Sequence, residues 1–252
     1  MNSNNDRIID VSIIIPLKNE GDNVQFLATE ISRVMKDFGW SWECLWIDDD
    51  STDNTRDELI RLCKDCKTHS YVFHLHNYGQ SAALVTGFRH AKGKIFVTLD
   101  GDGQNDPADM PTLISTLIDK NADMVNGWRT KRKDSLIRRI SSRIANRFRN
   151  ILTGENVRDV GCSLRAFRRE CVDEIVLFKG MHRFFPTMLK MSGHYKIIEI
   201  PVNHRPRHSG KTKYGINNRL WVGILDILAV CWMRKRLVFP KVVDKENGKD
   251  HV

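Results

Sequence analysis

The sequence predicts an α/β protein: a mostly parallel sheet flanked by helices. Three observations carry this. Short apolar or β-branched runs alternate with segments of helical spacing over roughly the first 100 residues, the pattern of consecutive βα units. Two of those runs pass directly into acidic clusters, Asp48-Asp49-Asp50 and Asp100-Gly101-Asp102. Parallel strands end on one edge of their sheet, so both clusters fall in one crevice, where open α/β sheets bind ligands. Finally, 252 residues of ordinary globular composition suffice for one large domain, or one domain with an appendage.

The elements follow in order. Val11–Ile15 is a buried strand ended by Pro16, and a polar loop leads into a helix over Val24–Phe38. Glu43–Ile47 is the second strand. Ser51 or Asp53 can cap the next helix, Asn54–Lys67. Tyr71–Leu75 is a third strand, and Ser81–Ala91 a helix rich in small residues. Ile95–Leu99, apolar throughout except for Thr98, is the fourth strand. A helix over Met110–Lys120, a strand around Met124–Asn126, a basic loop and a helix over Leu136–Leu152 come next. Asp159–Arg169 reads as a turn leading into another helix, and Gly180–Pro186 as the opening of a short one. Lys196–Ile200 alternates as a strand. His204–Gly215 is a polar loop rich in Arg and Lys, Asn217–Met233 the last helix, and Lys241–Val252 a polar tail.

The formal net charge of +9 is concentrated. Between Arg129 and Arg149 stand nine Lys or Arg against one acid, Asp134. Arg139, Arg143 and Arg147 recur every four residues and share one helix face. A solvated face normally interleaves acids, so this one reads as an anion site. The chain lacks a helix-turn-helix, a zinc finger or interleaved base-stacking aromatics, so nucleic acid is not the expected anion. Of six cysteines, Cys63 and Cys66 have metal-like spacing, but no second pair follows, and all six read as reduced thiols. The N-terminus lacks the apolar core of a signal peptide. No run reaches the 18 apolar residues or so of a spanning helix. The last helix has tryptophans near both ends and flanking cations, but covers only about 21 Å of a roughly 30 Å core, so it reads as lying at a membrane interface or on a partner.

Asp100, Asp102 and the amide oxygen of Gln104 form a cluster of hard oxygens suited to Mg2+ or Mn2+ holding a diphosphate. Taken alone, the stretch could equally be an Asp/Gly turn. Its neighbours decide. Ile15-Pro16-Leu17-Lys18-Asn19-Glu20, Ile47-Asp48-Asp49-Asp50-Ser51-Thr52-Asp53, Asn77-Tyr78-Gly79-Gln80, Asp100 to Pro107, Asp159-Val160-Gly161-Cys162 and Lys211-Thr212-Lys213-Tyr214-Gly215 occur in this order. Together they make the chain resemble family 2 glycosyltransferases of the GT-A, Rossmann-like fold, with its mixed, mostly parallel sheet. More narrowly, it resembles the dolichol-phosphate mannosyltransferase and bacterial polyprenyl-phosphate glycosyltransferase group. The resemblance spans residues 10 to 235.

The resemblance implies an inverting hexosyltransferase dependent on Mg2+ or Mn2+. A GT-A domain would occupy residues 1–215, an interfacial or partner-docking amphipathic helix 216–238, and the polar tail 239–252. The donor nucleotide sugar, UDP- or GDP-linked, would meet Pro16, Leu17, Asn19, Glu20, Asp48, Asp49 and Gln80, with Arg207 and Lys213 closing on its diphosphate. Asp100, Asp102 and Gln104 would hold the metal, and Asp100, Asp102 and Arg129 would form the catalytic centre. Arg139, Ser142, Arg143 and Asn146 would receive a lipid phosphate. A polyprenyl monophosphate, with a second pKa near 6, is largely dianionic and needs positioning rather than a general base. The expected setting is the cytoplasmic face of the membrane, with the protein peripheral to it, on lipid or a small membrane partner subunit, and compatible with a homo-oligomer. The product would serve cell-envelope glycan or lipopolysaccharide modification. Many bacterial members of the group carry two C-terminal membrane helices that this sequence lacks. Two other functions compete: a soluble transferase acting on a sugar hydroxyl, and a non-catalytic basic protein binding anions or membranes.

Overall fold

The computed structural model describes residues 9–130, 157–172, 175–191, 195–207, 209, 216–238, 242–243 and 250–251. The expected helix over 136–152, with Arg139, Ser142, Arg143 and Asn146, lies outside these residues, as does Lys213.

Seven strands form one mixed sheet in the order β3-β2-β1-β4-β6-β5-β7. These are β1 (Val11–Leu17), β2 (Trp42–Asp48), β3 (His69–Phe73), β4 (Ile95–Thr98), β5 (Met124–Arg129), β6 (Arg165–Arg168) and β7 (Ile197–Val202). All neighbours pair in parallel except β6, which runs antiparallel between β4 and β5. Helices α1 (Gly21–Phe38), α2 (Thr55–Asp65), α3 (Gln80–His90) and α4 (Met110–Asp119) connect the first strands. Helix α5 (Phe185–Met191) precedes β7, and α6 (Ile216–Arg234) follows it. Val242–Val243 and Asp250–His251 pair as a short antiparallel ladder, β8 and β9.

Strand alternation divides the core between the two faces of the sheet. Ile13, Ile15, Trp46 and Val97 pack against Val24, Leu27 and Ile31 of α1 and Leu113 and Leu117 of α4. Ile14, Leu45, Ile47 and Phe96 face the other way, against Leu84 and Phe88 of α3, Phe185 and Met188 of α5 and Val230 of α6. There Phe88 and Phe96 stack in parallel at 5.9 Å, while Phe167 meets both edge to face at 5.5 and 6.0 Å and Phe185 meets Phe88 edge to face at 5.5 Å.

Two sequence expectations fail for identifiable reasons. Asp159–Arg169 does not run from a turn into a helix: Arg165–Arg168 is strand β6, with Ala166 and Phe167 fully buried. Arginines at both ends of a four-residue strand hid its apolar centre. Pro16 does not end β1, which continues to Leu17. Ile14 faces β4, and its carbonyl accepts the Leu99 amide beyond that strand's last pair, Ile14 with Thr98. Two residues on, Pro16 faces the same side past the end of β4, where its missing N–H costs no ladder bond.

Candidate active site

The carboxyl ends of β1, β2, β4 and β5 share one edge, and the loops beyond them form the site. Their approach is tight. A Cβ on Gly101 would run into the Leu17 side chain and lie 3.4 Å from the Pro16 carbonyl, so a larger residue there would have to displace Leu17.

The loops after β1 and β2 are stitched together. Asn19, in the left-handed region at φ 50°, donates its backbone N–H to Ser51 Oγ at 2.8 Å and accepts the Thr52 N–H at 2.7 Å through Oδ1. Lys18 Nζ donates to the Asp50 carbonyl. Asp53 accepts the N–H groups of Thr55 and Gly21, so it, rather than Ser51, serves the start of α2. Asp48, fully buried, accepts Arg56 Nε at 2.7 Å and the Ser51 N–H. Asp49 accepts the amides of Tyr78 and Gly79 at 2.8 and 2.7 Å and pairs with His74 at 2.8 Å. Leu17 buries its side chain in the core and offers its carbonyl to the Asp49 amide. Both residues thus help to hold the β1 and β2 loops in place.

The loop after β4 is charged differently. Asp100 Oδ1 accepts Gln80 Nε2 at 2.7 Å, which ties the start of α3 to this turn. Burial and the neighbouring charge of Asp102 push the Asp100 carboxyl up to about 6, against opposing contributions from the Ser163 hydroxyl, Arg129 and Arg165. Asp102 Oδ1 accepts the Gln104 N–H at 3.1 Å. Its Oδ2 meets Arg207 Nη2 at 2.9 Å, and Arg207 Nη1 reaches Glu20 Oε1 at 3.2 Å. One guanidinium thus bridges Glu20, beyond β1, to the Asp102 turn. The Gln104 amide points its Nε2 to the Arg205 carbonyl at 3.5 Å.

Arg129, at the end of β5, is clamped by both carboxylate oxygens of Asp159, at 2.7 and 2.9 Å. Behind it lies a residue that sequence reasoning passed over. Arg165 is buried, and its guanidinium binds only neutral oxygens: Asn126 Oδ1 at 2.9 Å, the His182 carbonyl at 2.7 Å and the Val160 carbonyl at 2.6 Å. Burial lowers its pKa to about 10, despite the longer-range charges of Asp100 and Asp159. A buried, uncompensated cation is costly and concentrates where charge is used.

The donor set suits a hard divalent ion. The charge of Asp102 raises the cost of ionising Asp100, and a guanidinium already stands against Asp102. Among the described residues no cluster of three His, Cys, Asp or Glu surrounds this point. A metal here would complete its shell with phosphate and water oxygens, as Mg2+ does in nucleotide sites.

Residues 12–176 match the family model "Glycosyl transferase family 2". The chain belongs to this family. A dodecaprenyl-phosphate galacturonate synthase of Rhizobium johnstonii is 34% identical over 92% of this chain and 69% of its own length. An undecaprenyl-phosphate 4-deoxy-4-formamido-L-arabinose transferase of Salmonella paratyphi B is 35% identical over 81% of this chain; the match spans 62% of that relative. The fold recurs in glucosyl-3-phosphoglycerate synthase from Mycobacterium tuberculosis, solved with Mn2+ and UDP, at TM-score 0.69 and 17% identity over 92% of this chain and 81% of that one. It recurs again in a mannosyltransferase from Pyrobaculum calidifontis with GDP-Man and Mn2+, at TM-score 0.61 and 20% identity over 93% and 67%. The GT-A expectation and the family reading therefore hold.

Proposed function

We propose that this family 2 glycosyltransferase moves a sugar, with inversion, from a nucleotide sugar to a polyprenyl monophosphate at a membrane surface. The observation that carries the reading is the Asp100–Asp102 turn meeting Arg207 and Glu20 at the edge where the β1 and β2 loops converge. The two curated relatives, both named for polyprenyl-phosphate sugar products or acceptors, support the lipid acceptor. The Mn2+ in the two structural neighbours supports the metal.

In this reading Asn19, Glu20 and Asp48 shape the nucleoside pocket. Asp100 and Asp102, with the Gln104 amide, hold Mg2+ or Mn2+, and bound metal supplies charge neutralisation on the leaving diphosphate. Arg207 exchanges its carboxylate partners for diphosphate oxygens. Arg129, held rigid by Asp159, adds positive potential at the sugar. Within the crevice, Glu20, Asp48, Asp49 and Asp159 are each engaged by a guanidinium, a side-chain amide or backbone amides. That favours an acceptor already ionised over a hydroxyl that needs a free base.

Helix α6 fits the membrane role. Val230 is buried on the body, while Leu225, Leu228 and Trp232, at helical spacing, are 55–65% exposed. Arg234, Lys235 and Arg236 follow at the exposed end. No described helix is long and apolar enough to cross a membrane. We read the stripe as resting on an anionic bilayer from the cytoplasmic side. Residues 139–146 would bring cations to the acceptor phosphate.

The test incubates purified protein and Mg2+ with UDP- and GDP-sugars and either undecaprenyl phosphate in vesicles or water-soluble acceptors. Sugar on the lipid is the expected result. Product confined to the soluble acceptors would favour the hydroxyl-transferase reading.

A further inference from the structure

One half-buried histidine, bonded to Ser81 and Arg165, has no part in the scheme above. His182 lies on a one-turn 3-10 helix, Met181–Arg183, ahead of α5. Its Nδ1 is 2.9 Å from Ser81 Oγ. That hydroxyl oxygen accepts the Gly180 N–H at 3.1 Å and keeps its own proton, which it can donate to Nδ1. An accepting Nδ1 fixes the neutral tautomer with hydrogen on Nε2. Neutrality is enforced independently: burial, then the charges of Arg183 and Arg165, push the imidazole pKa down to about 3. The backbone is pinned too, because the His182 carbonyl accepts Arg165 Nη1 at 2.7 Å. Among the described residues, Nε2 has no hydrogen-bond partner.

Its location gives this ring a target. Ser81 directly follows Gln80, whose amide holds Asp100 at 2.7 Å. Arg165, which holds the His182 carbonyl, also holds the Val160 carbonyl next to Asp159, the clamp on Arg129. His182 is therefore tied on one side to Ser81, the residue next to the one that holds Asp100, and on the other, through Arg165, to Val160, the residue next to the one that clamps Arg129. It is an uncharged N–H donor, suited to a hydroxyl oxygen. The guanidiniums that keep it neutral leave phosphate recognition to the cations.

We propose that His182 contacts a hydroxyl oxygen of the transferred glycosyl unit through Nε2–H, with Ser81 as the positioning residue that fixes its tautomer. The inference rests on the nucleotide-sugar reading above and adds a sugar-contacting residue to it.

The experiment compares wild type, His182→Ala, His182→Gln and Ser81→Ala. It measures nucleoside diphosphate binding by calorimetry, kcat and KM for the nucleotide sugar, and the thermal midpoint. His182→Ala should lower kcat/KM for the nucleotide sugar about 10- to 100-fold, the loss expected for one buried donor to substrate. Nucleoside diphosphate affinity should stay within about twofold, because the nucleoside pocket lies on the β1 and β2 loops. His182→Gln, whose amide N–H reaches near the Nε2 position, should recover part of the loss. Ser81→Ala should show a smaller loss of the same kind. Wild-type kinetics in His182→Ala would overturn the proposal. So would equal losses for nucleoside diphosphate and nucleotide sugar with no rescue by Gln, the signature of a strut. If the alanine variant does not fold, His182→Gln and Ser81→Ala decide by the same split. Wild type that transfers no sugar from any donor would remove the function itself; an active wild type with an unaffected alanine variant removes only this contact.

Discussion

Two neighbouring acidic loops on one sheet edge treat their carboxylates in opposite ways. After β2, each carboxylate is met within the fold: Asp48 by Arg56 and the Ser51 amide, Asp49 by two amides and His74. After β4, Asp100 sits at a raised pKa beside Asp102, and Asp102 relies on an arginine 105 residues away in sequence. The first loop holds its shape with no ligand. The second sets two carboxylates close enough for one to raise the other's pKa, an arrangement that a divalent cation would relieve. Acidic clusters that look alike in sequence thus differ in how the fold meets their charge.

The sharpest way to break the second loop is Asp102→Asn. The transfer rate should fall about 1,000-fold, some 4 kcal/mol of lost transition-state stabilisation, when metal and diphosphate lose a carboxylate. The thermal midpoint should hold or rise, because a like charge beside Asp100 is gone. Steady-state kinetics and a melting curve measure both. Loss of folding instead of rate would erase the distinction between the loops.

Asp49→Ala attacks the first loop and should reverse that pattern. It strips partners from the Tyr78 and Gly79 amides and from His74. Charge-assisted bonds of this kind make the expected cost about 3 kcal/mol of stability, read from urea unfolding. Activity per folded molecule, assayed well below the midpoint, should change far less than in Asp102→Asn.

Much of this contrast was open to sequence reading, and the part that was not has a physical cause. The strand ends at Asp48 and Leu99 showed because each closes an apolar run. What each acid does there depends on partners brought by topology: Arg56 from α2, Gln80 from α3, Arg207 from beyond β7. Local pattern does not carry such long-range pairing, so the bonds that Asp49 makes to His74 and to the Tyr78 and Gly79 amides were not legible. Strand β6 and Arg165 were hidden for a related reason. An arginine in a short run signals surface, and only a ring of buried carbonyls and an amide oxygen makes it an interior residue. His182 carried no signal beyond its type.

Acidity sharpens the comparison further. Asp100 has its folded-state pKa raised to about 6 from 3.8. The folded state therefore binds the extra proton between these values, and the metal-free protein loses stability as pH rises through that window. Metal binding must expel that proton. Mn2+ affinity of the nucleotide-free protein should weaken about tenfold per pH unit below about 6, and level off above it. Titration of Mn2+ by electron paramagnetic resonance at several pH values checks this. In Asp102→Asn the breakpoint should move down, since one cause of the raised pKa is removed.

The smallest expected effect tests Arg207 itself. In the structure its guanidinium lies 2.9 Å from Asp102 Oδ2 and 3.2 Å from Glu20 Oε1, a cation against the carboxylate assigned to the metal. It cannot serve there and on a diphosphate in one geometry, so metal arrival and arginine release are linked. A residue that only grips diphosphate would leave metal binding alone untouched when removed. A residue that competes for Asp102 would strengthen it. Arg207→Ala should therefore bind Mn2+ about three- to tenfold more tightly without nucleotide, the scale of one partly exposed ion pair. The same variant should bind nucleoside diphosphate with Mn2+ less tightly than wild type, because the guanidinium is missing from the loaded state. Opposite signs in the two titrations identify one arginine serving both states. Weaker binding in both would make Arg207 a support for the Asp102 turn rather than a competitor for it.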